Sequence, residues 1–348
     1  MRRPLCSFAF AALSLALLNH AATAGPADKR FDIYWIDTEG GAATLMVTPK
    51  GESVLVDTGN PGHRDADRIV QTAAKVAQLR GIDHLVITHY HGDHFGGAAT
   101  LSTLMPIKHV HDNGVIEGGR DQPDKAYREF KADERSVISP GDEIKLSQAD
   151  GAAKLSIKCI AARQKTIAEK LAPSKGEENS CCKDAVPKPI DNSDNANSVV
   201  LLVQFGPFRF YDGGDLTWNI EKELVCPTNY VGPVDVYQVT HHGLDQSNNP
   251  VLVRSLQPTV AVMNNGVTKG CEPNTFATLK ELSSIQAIYQ LHRNERPDGA
   301  TNNTPLEFIA NREKACDANF IKLSVEPSGK TYTVTIPGQG HERTYRTR

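Results

Sequence analysis

The 348-residue sequence lacks several features that mark particular classes of protein. It has no excess of basic residues, since 38 Lys and Arg stand against 41 Asp and Glu, which argues against binding nucleic acid through a broad basic surface. No two cysteines have the CxxC spacing typical of structural zinc sites, and seven cysteines are too few for a small disulfide-built scaffold. No short repeat and no Pro/Gly/Ser-rich linker divides the chain. The composition is that of a soluble globular protein.

The first 24 residues predict a secretory signal peptide. A basic start at Arg2 and Arg3 precedes an apolar run from Leu5 to Leu18, and Ala22-Thr23-Ala24 supplies a small-residue cleavage site. This run is shorter than the roughly 20 residues that a membrane span needs, and no later apolar run is long enough. We therefore expect residues 25–348 to form a single-domain mature protein that is secreted or periplasmic, with no membrane attachment.

Export would place the remaining six cysteines in an oxidising compartment, where disulfide bonds persist. The sequence does not choose among their possible pairings. Because Cys181 and Cys182 are adjacent and cannot easily pair with each other, we expect each to bridge elsewhere. The six are Cys159, Cys181, Cys182, Cys226, Cys271 and Cys316.

Runs of apolar and β-branched residues alternate with amphipathic segments along the chain. Strands are predicted at 31–36, 43–48, 53–57, 84–88, 107–111, 154–161, 198–205, 208–211, 234–240, 259–263, 285–291, 320–325 and 331–336. Helices are predicted at 65–79, 123–132, 216–224 and 275–283. The mixed and polar segments 113–150 and 163–197 are interpreted as surface insertions. Strands interleaved with helices in both halves predict an α/β fold with two mixed sheets.

The predicted strand at 84–88 runs directly into Thr88-His89-Tyr90-His91-Gly92-Asp93-His94. Three imidazoles and a carboxylate within six residues are the nitrogen and oxygen donors that zinc and similar divalent ions bind. Residues two apart at a strand end point the same way, so His89 and His91 are expected to share one ion. A sharp turn at Gly92 would direct Asp93 and His94 to a second ion about 3.5–4 Å away.

Further ligands are expected where later strands end. Asp215 closes the sequence Gly213-Gly214-Asp215 and is a candidate carboxylate bridge, or a helix N-cap, or both. His241 and His242 follow an apolar strand. Neighbouring residues on a strand point to opposite faces, so one is expected to bind an ion and the other to contact substrate or donate a proton to the leaving group.

This order of motifs resembles that of metallo-β-lactamase-superfamily hydrolases: Asp57-Thr58-Gly59 after an early strand, HxHxDH at 89–94, then Asp215, then a late strand ending in His241. The resemblance spans residues 31–293. It implies an αββα sandwich with two metal ions at one edge of the sheets. By this resemblance His89 and His91 hold the first ion, Asp93, His94 and His241 hold the second, and Asp215 bridges. The expected catalytic residues are Asp93, which would also orient the hydroxide, and His242, which would contact substrate or donate a proton.

One departure concerns the first ion. The superfamily usually supplies a third histidine ligand from the stretch before the strand that precedes the Gly-Gly-Asp strand, and residues 191–198 contain no histidine. Asp194, Asn195 or Asn197 are the candidate replacements through oxygen. His111 is the next candidate, although a place on the strand surface is the simpler interpretation for His109 and His111.

The absence of this histidine points to one subfamily within the superfamily. This part of the chain is similar to the hydrolase domain of competence-type DNA-uptake proteins (ComEC-like). The similarity rests on an Asn-rich stretch followed by Ser198 to Leu201, then Gly-Gly-Asp, then a strand ending in His-His-Gly with Ser247 soon after. That subfamily often continues with Gly-His-Pro. The corresponding segment here reads Gly270-Cys271-Glu272-Pro273, so any role of that histidine is lost or replaced.

The resemblance implies an exported hydrolase with two divalent ions, zinc or else manganese or iron, and a metal-bound hydroxide as nucleophile. Asp57 is expected to hold a ligand imidazole in its tautomer, or to stabilise a turn. A phosphodiester or similar small substrate is expected, and the net negative charge disfavours long nucleic acid. Hydrolysis of an ester, lactone or β-lactam is one alternative. A non-catalytic secreted binding protein with an impaired metal site is another, and a di-iron oxidoreductase is disfavoured because no flavin domain is attached.

Overall fold

A computed structural model of the protein describes residues 28–173 and 175–348, and the predicted signal peptide at residues 1–24 lies outside this part. The described residues form nineteen strands. In chain order these are β1 (Phe31–Trp35), β2 (Thr44–Val47), β3 (Ser53–Val56), β4 (Ile82–Ile87), β5 (Ile107–Asp112), β6 (Glu134–Val137), β7 (Leu155–Ala162), β8 (Lys165–Thr166), β9 (Glu177–Glu178), β10 (Val200–Phe205), β11 (Phe208–Asp212), β12 (Thr228–Asn229), β13 (Val236–Gln238), β14 (Val260–Met263), β15 (Ala287–His292), β16 (Ile309–Asn311), β17 (Ile321–Val325), β18 (Thr331–Ile336) and β19 (His341–Arg346).

Seven α-helices accompany these strands in the described residues: α1 (His63–Val70), α2 (Gly92–Phe95), α3 (Ala98–Leu104), α4 (Lys125–Glu129), α5 (Trp218–Val225), α6 (Pro250–Leu256) and α7 (Pro273–Glu281). A π-helical segment, Gln71–Val76, continues α1. Short 3₁₀ segments lie at Glu169–Leu171, Ser180–Asp184, Asp194–Asn197, Thr240–Gly243, Pro297–Ala300, Leu306–Phe308 and Pro337–Gln339. None of the helices in the described ranges combines the length and the apolar character that crossing a bilayer requires.

The strands form two large sheets. The first has the order β19-β18-β17-β1-β2-β3-β4-β5-β6, and the second has the order β16-β15-β14-β13-β11-β10-β7-β8. Strands β3 to β6 run parallel, as do β11, β13, β14, β15 and β16, while the remaining neighbours are antiparallel. A separate two-stranded ribbon pairs β9 with β12. The prediction of two mixed sheets is confirmed.

The two sheets pack face to face, and helices cover their outer faces. Alternate residues of β1, such as Phe31 and Trp35, pack against aromatic side chains of the second sheet, including Phe205 and Phe210. The opposite face of the first sheet buries Tyr34 and its neighbours under α1, α3 and α4. Helices α5, α6 and α7 cover the outer face of the second sheet. The period-2 alternation of the strands thus gives the predicted αββα layers.

One buried amide links the sheets beneath the site. Gln238, at the end of β13, accepts hydrogen bonds from Trp35 Nε1 (2.7 Å) and Thr44 Oγ1 (2.8 Å), which belong to the first sheet. Its Nε2 donates to Asp212 Oδ1 (2.8 Å) at the end of β11. Because buried polar groups must find partners, these bonds fix how one sheet sits on the other.

Four of the predicted site residues follow parallel strands. Asp57 follows β3, His89 follows β4, Asp215 follows β11 and His241 follows β13. The carboxyl ends of parallel strands meet at one edge of a sheet, so the packing of the two sheets brings four separate chain segments to one place.

The two expected insertions differ. Segment 113–150 contains α4 and β6, and β6 extends the first sheet beyond β5, so this segment is partly a sheet edge. Segment 163–197 has mainly short elements and contains one half of a disulfide bond, Cys182–Cys226. The expectation of a bridge is therefore met for Cys182 and was wrong for Cys181, which has a free thiol, as do Cys159, Cys271 and Cys316.

Replacing Gln238 by Leu is expected to lower the free energy of unfolding by about 2–4 kcal/mol, because the Trp35 and Thr44 donors then lose their acceptor inside the core. Equilibrium urea unfolding measures this loss. Gln204→Leu is the matched control, because Gln204 lies on β10 and donates to the nearby Gly206 carbonyl. Its effect should stay below about 1 kcal/mol. Equal losses for the two variants would contradict a linking role for Gln238.

Candidate metal centre

The HxHxDH segment leaves β4 and turns at once into α2. His91 is the extended residue before the helix, and Asp93 and His94 lie in its single turn, which begins at Gly92 as the sequence predicts. The rings of His89 and His91 are edge to face, with centroids 4.7 Å apart. The His89 ring also lies 4.2 Å from that of His94, so it is in contact with both other imidazoles of the segment.

A single carboxylate oxygen is the centre of the site. Asp215 is buried, and the Nε2 atoms of four histidines surround its Oδ2. The distances to Oδ2 are 3.2 Å from His94, 3.3 Å from His241, 3.5 Å from His242 and 3.9 Å from His89. Gly214, with φ of +52°, provides the left-handed turn that brings Asp215 here from the end of β11.

The other ring nitrogen of each of these histidines is engaged away from the centre. An imidazole that donates through Nδ1 presents the lone pair of Nε2, which is the form that binds a metal ion. The Nδ1 partners are Asp57 Oδ2 for His94 (2.7 Å), Ser247 Oγ for His241 (3.2 Å), the Asn264 carbonyl for His242 (3.2 Å) and Thr88 Oγ1 for His89 (3.1 Å).

Asp57 combines the two roles considered for it. It adopts a left-handed conformation (φ 60°) after β3, and its carboxylate accepts hydrogen bonds from the backbone N–H and the hydroxyl of Thr88, both at 2.8 Å. Its Oδ2, which accepts the bond from the Thr88 hydroxyl, also accepts the hydrogen bond from His94 Nδ1. Asp57 therefore holds both the start of the HxHxDH segment and one of its imidazoles.

His241 and His242 both reach Asp215, contrary to the expectation that neighbours would point to opposite faces. That expectation assumed a strand, but β13 ends at Gln238. Both histidines have a φ of 55°, in the left-handed region, so the backbone curls and their side chains converge. Non-glycine residues rarely adopt this conformation, and strained backbone of this kind clusters at functional sites.

Of the two, His242 lies deeper among the candidate ligands. Its Nε2 is 3.2 Å from Asp93 Oδ2 and 3.3 Å from His94 Nε2. Asp93, His94, Asp215 and His242 form a group whose candidate ligand atoms all lie within 4.8 Å of one another. The resemblance assigned metal binding to His241 and catalysis to His242, whereas this grouping contains His242.

The charges in the site offset one another. Burial opposes the ionisation of Asp215, but His241, His94 and His242 hold its pKa well below the usual range. Burial likewise opposes ionisation of Asp93, and His94, His242 and Lys269 lower its pKa. Burial also lowers the pKa of His89 well below its usual value, which keeps that imidazole neutral. Ionised carboxylates beside a neutral imidazole are suited to a cation.

One orphaned atom tests whether the residues fit a metal ion. His89 Nε2 is fully buried and has no hydrogen-bond partner within the part of the chain that the structure describes. A buried polar nitrogen without a partner is costly, and a divalent ion between His89 and Asp215 would satisfy it. With nitrogen and carboxylate donors on every side, the residues present fit such an ion.

The expected replacements for the third ligand have other contacts. Asp194 Oδ2 accepts from the Tyr90 backbone N–H (2.6 Å), and Asn197 Nδ2 donates to Asp194 Oδ1 (2.9 Å). Asn195 Oδ1 is buried without a partner among the described residues. His111 lies on β5, where it contacts His84 and Ser136.

Asp121 is the residue that sequence reasoning missed. Its Oδ2 lies 3.3 Å from His91 Nε2 and accepts a bond from the Asp194 backbone N–H (3.0 Å). It lies in segment 113–150, which contains no motif, so no local signal marked it. Asp121 is therefore a candidate metal ligand beside His91.

Lys269 is a second residue that the sequence did not mark. Its ammonium forms an ion pair with Asp93 Oδ2. About a third of its side chain is exposed (37%), so it lies at the rim of the site rather than beneath it.

Comparison with known proteins shows what the chain is similar to. Residues 37–155 match the profile of the Metallo-beta-lactamase superfamily. The chain is 24% identical over 263 residues to Recombination protein 2 of Haemophilus influenzae, covering 75% of this chain and 27% of that protein. It is 34% identical over 90 residues to a UPF0173 metal-dependent hydrolase of Cupriavidus metallidurans, covering 25% of this chain and 28% of that protein. The chain thus spans only about a quarter of each relative's length.

A solved structure, CmlA, described as a diiron beta-hydroxylase from Streptomyces venezuelae, aligns with a TM-score of 0.43 at 14% identity, over 75% of this chain and 52% of that one. The resemblance to the metallo-β-lactamase superfamily, with its distant likeness to the competence-type protein, is confirmed. The superfamily match and the His/Asp cluster together support a metal-dependent hydrolase.

Replacing Asp121 by Ala is expected to lower occupancy of the first site, because His91 then loses its carboxylate partner. Metal bound per chain, counted by atomic absorption after dialysis against limiting Zn²⁺, should fall by one equivalent or require about 10–100-fold more free ion. Glu117→Ala, an exposed carboxylate on the same loop, is the matched control. If metal occupancy is unchanged in Asp121→Ala, Asp121 is not the third ligand, and Asn195 is the next candidate.

Proposed function

We propose that this chain, with its metallo-β-lactamase-superfamily signature, is an exported hydrolase that uses two divalent metal ions to cleave a small anionic ester, a phosphodiester above all. The observation that carries the proposal is the convergence of four imidazole Nε2 atoms on one oxygen of Asp215. A secreted or periplasmic location, from the predicted leader at residues 1–24, is part of the same proposal.

The ligands divide into two sets around Asp215. In this proposal His89, His91 and Asp121 hold the first ion, and Asp93, His94 and His242 hold the second. Such ions lower the pKa of water towards neutrality and polarise the oxygen of the group under attack. Zinc suits nitrogen and oxygen donors of this kind, and manganese and iron are the alternatives.

The remaining residues orient the ligands and the substrate. Asp57 keeps His94 in one tautomer, and the Asn264 carbonyl does the same for His242. His241, oriented by Ser247, retains slight exposure where His242 has none (6% against 0% for the side chains), so we assign it to contact with the substrate.

Lys269 supports an anionic substrate. In this structure its ammonium neutralises Asp93. A cation bound by Asp93 would take over that neutralisation, and the Lys269 ammonium at the rim would then face an incoming negative charge. A phosphodiester carries such a charge beside the scissile bond, whereas a simple ester or lactone does not.

Two further observations bear on substrate size. The similarity to Recombination protein 2 favours phosphodiester chemistry by analogy. The formal charge of −3 argues against a long polyanion. A small phosphodiester satisfies both.

Metal removal and restoration test the function. Protein stripped with a chelator should be inactive towards bis(p-nitrophenyl) phosphate and should recover with two equivalents of Zn²⁺ or Mn²⁺. Asp93→Ala should lower kcat at least about 100-fold with the fold intact by circular dichroism, because it removes a ligand of the second ion. Asp67→Ala, an exposed carboxylate on α1, is the matched control.

A panel of a phosphodiester, an aryl ester, a lactone and a β-lactam identifies the bond that is cleaved. Preferred turnover of one of the last three would replace the phosphodiester assignment. One equivalent of metal or none, together with no turnover of any substrate, would instead indicate a binding protein.

Replacing Lys269 by Met should raise KM for bis(p-nitrophenyl) phosphate about tenfold or more, since a hydrogen bond to a charged group is worth about 1.5–3 kcal/mol. The neutral ester p-nitrophenyl acetate should show no such change, and Lys269→Arg should retain most of the affinity. A rise of equal size for both substrates would contradict charge recognition.

A further inference from the structure

Three histidines form a cluster away from the centre described above. His84 lies on β4, and His109 and His111 lie on β5. In the parallel pairing of these strands His84 is in register with His109, and His111 is two residues further on, so all three side chains lie on the same face of the sheet. The mechanism proposed above uses none of them.

The cluster lines a cavity of about 740 Å³ at the edge of the first sheet. The cavity is bounded by β4, β5 and the exposed edge strand β6 on one side and by the segment 138–145 on the other. Five carboxylate residues line it against two lysines, so the cavity is favourable to a cation. The carboxylate residues are Glu52, Asp83, Glu134, Asp142 and Glu143, and the lysines are Lys108 and Lys145.

Two ring nitrogens in the cluster have the spacing of ligands on one ion. His84 Nδ1 lies 3.1 Å from His111 Nε2. With metal–nitrogen bonds of about 2.0–2.1 Å, two imidazole nitrogens on the same ion are about 3 Å apart. His111 Nδ1 contacts Ser136 Oγ at 2.9 Å, which fixes the ring and leaves Nε2 directed at His84.

A third imidazole stacks on this pair. The rings of His84 and His109 lie 5.2 Å apart and nearly parallel, and His109 Nδ1 is 3.2 Å from Glu134 Oε2. A small rotation of this partly exposed ring would add a third nitrogen donor, with the Glu134 carboxylate beside it.

The protonation of the cluster suits a metal. Burial and the neighbouring imidazoles lower the pKa of His84, and they lower that of His111 to about 4. Both rings are therefore neutral at pH 7, which is the form that coordinates.

We propose that His84 and His111, joined by His109, form a further metal site, outside the hydrolytic centre, for a late divalent transition ion, Cu²⁺, Ni²⁺ or Zn²⁺. Imidazole is a ligand that all three ions prefer. The ion would join β4 to β5 next to the exposed strand β6 and so strengthen this edge of the sheet. The site is separate from the hydrolytic centre, and its existence does not depend on the proposed function.

Copper binding tests the site. Full-length protein, first loaded with two equivalents of Zn²⁺, is titrated with Cu²⁺, and bound copper is counted by atomic absorption after gel filtration. Wild-type protein should bind one more equivalent of copper than His84→Gln/His111→Gln, and its electron paramagnetic resonance spectrum should show coupling to nitrogen. His63→Gln, which removes an exposed imidazole from α1, should bind as wild type does. Hydrolysis of bis(p-nitrophenyl) phosphate should be the same in all three proteins.

Two further variants guard against misfolding of the double variant. His111→Gln alone and Ser136→Ala should each weaken copper binding at least tenfold, since the first removes a ligand and the second frees the ring. The bound ion should also raise the melting temperature of the wild-type protein and not that of His111→Gln. Equal copper binding in wild type and His111→Gln would overturn the proposal and leave the 3.1 Å contact as an N–H···N hydrogen bond.

Discussion

The structure is organised around a buried carboxylate whose charge must be compensated. Asp215 Oδ2 lies where four histidine Nε2 atoms converge, and only 3% of the Asp215 side chain is exposed to solvent. An isolated carboxylate in such a place would be costly, so the surrounding imidazoles and any ions they hold are a condition for burying it. The two sheets, the order of their strands and the turns at the strand ends bring those imidazoles from two chain segments, 89–94 and 241–242, to one atom of a third segment.

The Nδ1 atom of each imidazole is engaged by a neighbouring oxygen. Asp57, Ser247, Thr88 and the Asn264 carbonyl engage the Nδ1 atoms, and this leaves the Nε2 atoms to face inward. The backbone contributes through the left-handed residues Asp57, His241 and His242, whose conformations cost energy that the surrounding packing must supply. Hydrogen bonds to the Nδ1 atoms and the backbone turns thus orient the ligand imidazoles.

Much of this could be predicted from the sequence, for identifiable reasons. Strands such as β4 and β10 are strongly apolar, and HxHxDH lies directly after a strand, so the layers and most of the centre follow from local pattern.

Asp121 could not be predicted, because its place beside His91 depends on the path of a loop without a motif. The convergence of His241 and His242 could not be predicted either, because it depends on the left-handed backbone conformation of both residues, for which the sequence contains no signal. The histidine cluster depends on the register of β4 against β5, which is a property of the folded sheet. Strand β19 is largely exposed and polar, and so has no apolar alternation to reveal it.

The position of the last strands constrains the order in which the chain can fold. β17 pairs with β1, so the first strand of the sheet has one neighbour that is adjacent in sequence and another that lies nearly 300 residues later. During synthesis on the ribosome β1 keeps an open edge until residues 321–325 emerge, and an open edge is a template for pairing with other chains. Closure of the sheet also carries the large loop entropy of a distant contact, which slows folding. β1 and β17 therefore become neighbours only after all the residues between them have been synthesised, and any cellular factor that protects the open edge of β1 has to act over that whole interval.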